Sequence, residues 1–233
     1  MPEQGETRTA FFIDTQSRQL RLPAAQNTIR RAAKGALLVA SVGLVFVILE
    51  TWGWGSRGVP VLACSSLFAT RVMIQMSLFW TRSLPWKEVL LEAGGIIPLS
   101  LASFAVAATL RQGPLSWVDY LGWVLFLAGT GLNLIPEYQR YLWKLRPENE
   151  GKLYTLGAFA WARHINYTGE VGSFVGFALA SGSLLSLWVP TAMGVGMVFF
   201  SVPELDFYLE KRYKDQWPRY LKAVPHSWVP GVL

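Results

Sequence analysis

From Val171 to Pro203 the chain runs through 33 residues without one charged side chain. As a single helix that block would be roughly 50 Å long at about 1.5 Å per residue. The hydrocarbon core of a bilayer is only about 30 Å thick. Gly182-Ser183 offers one break and Trp188-Val189-Pro190 another, so the block reads as two short, tightly connected spans. Upstream, apolar blocks of spanning length fall at 32–51, 59–80, 89–110 and 115–135. The composition agrees, since 15% charged residues is well below the roughly 25% of an ordinary soluble domain. The fold expected is all-α: a polytopic membrane helical bundle of about six transmembrane helices with a cytoplasmic C-terminal helix. Five spans is the alternative count.

The basic residues orient this bundle. With six spans, the segments 1–31, 81–88, 136–165 and 204–233 share one side, and 18 of the 21 Lys and Arg lie in or against them. Arg57 and Arg111 fall on the other side and Arg71 within a span. Such an excess marks the cytoplasmic face, which puts both termini in the cytoplasm. The membrane is the endoplasmic reticulum in a eukaryote or the inner membrane in a bacterium. The formal charge of +6 is then a partner for anionic headgroups, and nucleic acid is not expected. Cys64 is the only cysteine and His164 and His226 the only histidines. That excludes disulfide frameworks, thiolate clusters and histidine-rich metal sites. No G-x-G-x-x-G follows a strand, no G-x-S-x-G occurs, and no aspartate-rich pair offers magnesium.

Residues 1–31 form a polar lead, lacking the apolar core of a cleaved signal peptide. Asn27 is a candidate cap for the first helix. The membrane domain, 32–233, divides into a four-helix half at 32–135, assigned to substrate, and a half at 136–233 holding most of the loop charge, assigned to the cofactor. The stretch from Leu205 to Val224 reads as a partly amphipathic helix broken near Pro218, with Tyr213 and Trp217 as interfacial anchors.

Polar groups placed against these spans are the candidates for chemistry, because such groups are costly in lipid and turn toward a cavity or a partner. Arg163-His164-Ile165-Asn166-Tyr167-Thr168-Gly169-Glu170 stands at the mouth of a span. Asn133 and Glu137 lie four apart on one helical face, followed by Arg140, Lys144 and Arg146. Arg71 and Gln75 are four apart inside the second span, with Glu92 near the start of the third. Such an arginine points inward, either to a pocket or to an Arg71–Glu92 or Arg71–Gln75 pair that only stabilises the bundle. Glu50 and Asp119, at helix ends, read as solvated.

Asn133-Leu134-Ile135-Pro136-Glu137, then Gly151 to Phe159, then Arg163 to Glu170 with its N-Y-x-G-E core, resemble the C-terminal domain of steroid 5-alpha-reductases and sterol C14-reductases. The ending from Lys211-Arg212-Tyr213 through Trp217 and Tyr220 to Val229-Pro230 is similar to the sterol-reductase tail. The resemblance implies a membrane enzyme that takes NADPH from the cytoplasm and reduces a carbon–carbon double bond in a sterol-like or isoprenoid lipid, with no obligate protein partner. Carried over position by position, Asn133 and Glu137 contact the cofactor, Lys144 or Arg146 meets its phosphates, and Asn166 and Glu170 lie at its nicotinamide end, with Arg163 and Tyr167 also counted among the cofactor residues. Tyr208 and Arg71 complete the cofactor set. Phe68 stands where those reductases have a tyrosine. Glu92 and Glu50 are the two candidates for the acid. R-H-x-x-Y at Arg163–Tyr167 also resembles the isoprenylcysteine carboxyl methyltransferases, with Ile165 in place of proline, which implies S-adenosylmethionine as the alternative cofactor. A third possibility is a repurposed, non-reductive membrane protein.

Overall fold

The computed structural model describes residues 22–228. Expectations for Arg8, Arg18, Arg21 and Val229-Pro230, and for most of the polar lead, lie outside the described residues. Five helices are long and apolar enough to cross a membrane. They are α1 (Ala24–Trp52), α2 (Gly58–Phe79), α3 (Trp86–Leu110), α4 (Trp117–Lys144) and α6 (Leu184–Tyr213). Between the last two lies α5 (Ile165–Ala180), and a short α7 (Gln216–Ala223) follows. No strand occurs among the described residues. Large side chains such as Leu99, Leu110, Val124 and Phe199 stand exposed on these helices, which suits a surface solvated by lipid rather than water. The protein is an integral membrane helical bundle.

The break in the long apolar block falls at Ser181-Gly182-Ser183, and Trp188-Val189-Pro190 belongs to α6. At 16 residues α5 is about 24 Å long, yet it runs between the same two polar layers as its neighbours. Its first turn meets Asn133 and Glu137, and the turn after it accepts a hydrogen bond from Arg111. It begins at Ile165 rather than Val171, so most of the Arg163–Glu170 motif is helical.

Several boundaries differ from the sequence expectation, each for a local reason. Helix α4 runs on to Lys144 through Pro136, where Tyr138 and Tyr141 pack on Phe79. Asn27 lies inside α1 and accepts a hydrogen bond from the Leu84 backbone N–H at 3.0 Å instead of capping the helix. The tail breaks at Lys214, whose φ is 42°, four residues before Pro218. Three spans contain a widened i→i+5 turn, Gln75–Phe79 in α2, Val89–Ile96 in α3 and Met197–Ser201 in α6. The last two stand just ahead of a proline, Pro98 or Pro203, which lacks the N–H that would continue the normal ladder.

The apolar core lies where α1, α2, α3, α4 and α5 meet, around Leu38, Val61, Phe68, Phe104, Phe126 and Phe177. Phe104 and Phe177 stack at 4.2 Å, and Phe68 meets Phe174 edge-on at 5.1 Å.

The opposite face of the bundle is tied by a salt bridge. Arg57 donates to Asp119 from Nε at 2.7 Å and from Nη2 at 2.8 Å, and both side chains are 1% exposed. Asp119 also accepts from Ser116 N and Oγ in a capping box. It is therefore buried and paired, not solvated, because the α1–α2 and α3–α4 turns fold over it. Gly182, at φ +83°, completes the layer; a Cβ there would sit 2.5 Å from Arg57 Nε.

Candidate functional site

Helices α4 and α5 pack backbone to backbone, and this sets the site. A Cβ on Gly122 would stand 2.5 Å from Ala180 N, and one on Gly169 the same distance from Asn133 N. At Gly129 and Gly176 the facing backbone is closer still. Only small residues permit this approach, as at other close helix crossings in membranes. Gly169 is the glycine of N-Y-x-G-E, and its missing side chain is what lets Asn133 reach the first turns of α5.

The contact creates a polar layer. Asn133 is 5% exposed; its Nδ2 donates to the Asn166 carbonyl at 2.9 Å, and its Oδ1 accepts from Gln75 Nε2 at 2.6 Å. Asn166 Nδ2 donates to Glu137 Oε1 at 3.1 Å, and Arg140 is bonded to the other oxygen of Glu137. One turn deeper, Arg71 Nη2 donates to Glu170 Oε1 at 2.7 Å. Thus Asn133, Glu137, Asn166 and Glu170 converge, with Arg71 and Gln75 joining from α2. The partner of Arg71 is Glu170 and the partner of Gln75 is Asn133. Glu92 is engaged elsewhere, accepting from Lys34 at 2.9 Å, so the expected Arg71–Glu92 or Arg71–Gln75 pair does not form.

The start of α5 is fixed by the chain's end. Arg163 N and His164 N donate to the His226 and Ser227 carbonyls, Arg163 Nη1 donates to the Val224 and Pro225 carbonyls, and Thr168 Oγ1 donates to the Trp228 carbonyl. His164 is 1% exposed, lies 2.7 Å from Asp206 Oδ1 on α6 and stacks on Tyr167. Asp206 escaped the sequence reading, since nothing local marks a partner 42 residues away. Lys144 donates to Tyr213 OH at 2.8 Å and to the Lys152 carbonyl at 3.2 Å. Arg146 is exposed in the following loop. Tyr208 is half-buried on α6 with the Arg212 guanidinium 6.0 Å above its ring.

Trp217 and Tyr213 are not anchors in the membrane interface. Trp217 packs with Tyr220, Val224 and Leu153, and Tyr213 is 8% exposed. Tyr220 donates from its OH to the Phe159 carbonyl at 2.6 Å, so α7 clamps the 151–161 connection. Burial pushes the Tyr220 phenol above its ordinary range and acts on Tyr154 in the same direction.

The two acid candidates differ in place. Glu50, at the far end of α1, accepts from Trp54 Nε1 at 3.0 Å. Glu92, half-buried, joins a cluster in which Lys34, 0% exposed, bonds both Glu92 and Glu88, and Arg82 bonds Glu88 twice. Beside the polar layer, an apolar cleft of about 560 Å³ runs along α4, walled by Ala128, Leu132, Pro136, Gly157 and Trp161 among others.

A family model described as "Protein of unknown function (DUF1295)" matches residues 90–224, more than half of the chain. The chain belongs to the DUF1295 family. The match begins inside α3 and takes in the whole α4–α5 seam, the 151–161 connection and α7. At the level of the family it accords with the resemblance to the 5-alpha-reductases. A protein of Ustilaginoidea virens named probable O-methyltransferase ustE is 36% identical over 97 residues. That alignment covers 39% of this DUF1295 chain and 32% of the relative, so the chain spans about a third of the relative's length. Among the described residues no group of three or more His, Cys, Asp or Glu is placed to hold a metal ion.

Proposed function

We propose that the protein is a membrane-embedded, NADPH-dependent reductase of a carbon–carbon double bond in a sterol-like or isoprenoid lipid. The observation that carries this reading is an excess of buried donors, most of them on the side of the bundle that holds the polar layer. Among the described residues, every buried side-chain nitrogen or oxygen without a partner is an N–H group. They belong to Arg31, Arg71, Arg163, Trp123 and Trp228. Such groups are expensive to bury unpaired, at about 1–3 kcal/mol each and more when charged. A ligand rich in acceptors relieves that cost. A dinucleotide with its phosphates and carboxamide is one, and S-adenosylmethionine, with a sulfonium cation, is a poorer match.

In this reading Lys144, Arg146 and Arg163 hold the phosphates of NADPH, and Asn133, Asn166 and Glu137 hold its carboxamide end. Tyr167, Glu170, Tyr208 and Arg71 complete the cofactor wall. When bound, the cofactor supplies a hydride. The protein orients it through the short seam hydrogen bonds, and the packed helices exclude water and strengthen each polar contact. The apolar cleft beside Leu132 and Pro136 gives a lipid access from the bilayer. Of the two acid candidates, Glu92 lies on the same side as Asn133 and Glu137 but is paired with Lys34, and Glu50 stands in the layer on the opposite side. We assign the face that carries most of the basic residues to the cytoplasm, because Arg57 and Arg111 are the only described basic residues on the opposite face.

Methylation is the second reading, favoured by the name of the Ustilaginoidea virens relative and by Arg163, His164 and Tyr167. Tryptophan fluorescence of the detergent-purified protein separates the two. Quenching by NADPH but not by S-adenosylmethionine supports reduction. The reverse result assigns a methyltransferase, and no response to either points to a non-catalytic use of the same helices.

A further inference from the structure

The Arg57–Asp119 side of the bundle carries a second cleft, of about 340 Å³, between α3 and the first turns of α6. Leu99, Ser103, Val106 and Leu110 form one wall, and Leu185 and Trp188 the other. Its polar end is marked by Arg111. Leu110 and Ser183, which line the cleft, are the chain neighbours of Arg111 and Gly182, and Arg111 Nη1 donates to the Gly182 carbonyl at 2.6 Å. A Cβ on Gly182 would stand 2.9 Å from Arg111 Cδ, so the glycine lets that side chain lie across the turn. Arg111 is exposed. Among the described residues it enters no ion pair. Arg57, the other basic residue of that layer, is neutralised by Asp119, and the exposed Glu50 is bonded to Trp54 instead. We propose that the cleft holds an acyl chain of a phospholipid from the leaflet on that side, with its phosphodiester anion on Arg111. The protein thereby selects anionic over zwitterionic lipid at this position.

Length and charge choose the occupant together. From Leu99 to Leu110 the helix rises about 16 Å, close to half of a hydrocarbon core of about 30 Å. The cleft therefore runs the depth of one leaflet and ends where a headgroup lies. The hydroxyls on its walls are already used, since Ser103 donates to the Leu99 carbonyl and Ser186 accepts from Ser181. What remains for a ligand is apolar surface below and a guanidinium above. A guanidinium held at one nitrogen still offers N–H groups to a pair of phosphate oxygens. A zwitterionic headgroup brings its own cation to the same place, and a neutral lipid leaves the charge of Arg111 unmatched. The cleft lies on the opposite face from the Asn133–Asn166 layer, so this selection holds whichever cofactor the protein uses.

The test uses the full chain in nanodiscs with equal amounts of phosphatidylglycerol and phosphatidylcholine of identical chains. In each sample one of the two lipids carries a diazirine on its acyl chain, and peptide mapping after illumination locates the adducts. In the wild type the phosphatidylglycerol probe is expected to label 99–110 and 183–188 roughly fivefold more than the phosphatidylcholine probe does. That is about the worth of one basic residue beside anionic headgroups. Arg111→Gln should bring the two probes level at those peptides, whereas Arg111→Lys keeps the preference. Val106→Trp, which fills the cleft, should remove both adducts there and leave those elsewhere on the protein unchanged. Equal labelling by the two probes in the wild type would mean unselective boundary lipid. Absence of adducts at both peptides would mean that no phospholipid chain enters. Either result overturns the proposal even if every variant fails to fold. A preference that survives Arg111→Gln overturns it as well, because the anion would then be held by another residue.

Discussion

Gly169 and Gly176 set how near α4 and α5 approach. A Cβ on Gly176 would press on the Phe126 backbone nitrogen, whereas one on Gly172 meets nothing nearer than 4.0 Å. Gly176→Leu is therefore expected to lower stability by about 3 kcal/mol or more, and Gly172→Ala to leave it within about 0.5 kcal/mol. Thermal unfolding in detergent reads both. The seam was legible in principle. Gly169, Ser173, Gly176 and Ala180 recur every three or four residues, and Gly122 and Gly129 lie seven apart, a small-residue stripe of the kind that marks close helix contact. Polar residues drew the sequence reading instead. Those it named do meet, but their pairings depend on which helices become neighbours. Hence Arg71 found Glu170, 99 positions away, rather than Glu92.

The elements report two separate fastenings. On one face Arg57 and Asp119 form a fully buried pair, so Asp119→Ala leaves an uncompensated guanidinium and should cost about 3–5 kcal/mol. Its unfolding midpoint in denaturant should fall while the slope stays that of the wild type. On the other face α7 is held by Tyr220. The phenol's folded-state pKa is raised by burial, so its contribution is whole below the unfolded value of about 10 and declines as pH rises above it. Proteolysis of the 214–228 segment should thus begin only in strongly alkaline buffer, above about pH 10. Tyr220→Phe should reduce that alkaline step and release the segment by about 1 kcal/mol at neutral pH. The five long spans were readable as apolar blocks, whose hydrophobic character needs no knowledge of neighbours. Continuation of α4 through Pro136 was not, because the aromatic contacts of Tyr138 and Tyr141 with Phe79 override the proline.

For the whole molecule the central feature is polarity arranged in two layers with an apolar slab between them. One layer holds Arg57, Arg111 and Asp119; the other holds Lys34, Arg82, Arg140, Lys144 and the Asn133–Glu137–Asn166 network. Cys64 is buried, so in a Cys64→Ser background single cysteines report topology directly. Gln112→Cys and Lys222→Cys should be labelled by impermeant maleimide from opposite sides of sealed vesicles, and labelling from the same side would overturn the six-crossing arrangement. The charge asymmetry that suggests this was plain in the sequence. The enzymatic reading leans on the other layer being a binding site rather than a structural girdle. The measurement that bears on it most directly pairs NADPH affinity with thermal stability in Asn166→Ala. We expect affinity to fall at least roughly tenfold with stability changed by about 1 kcal/mol or less. A variant that binds NADPH as the parent does, yet unfolds far more readily, would contradict it.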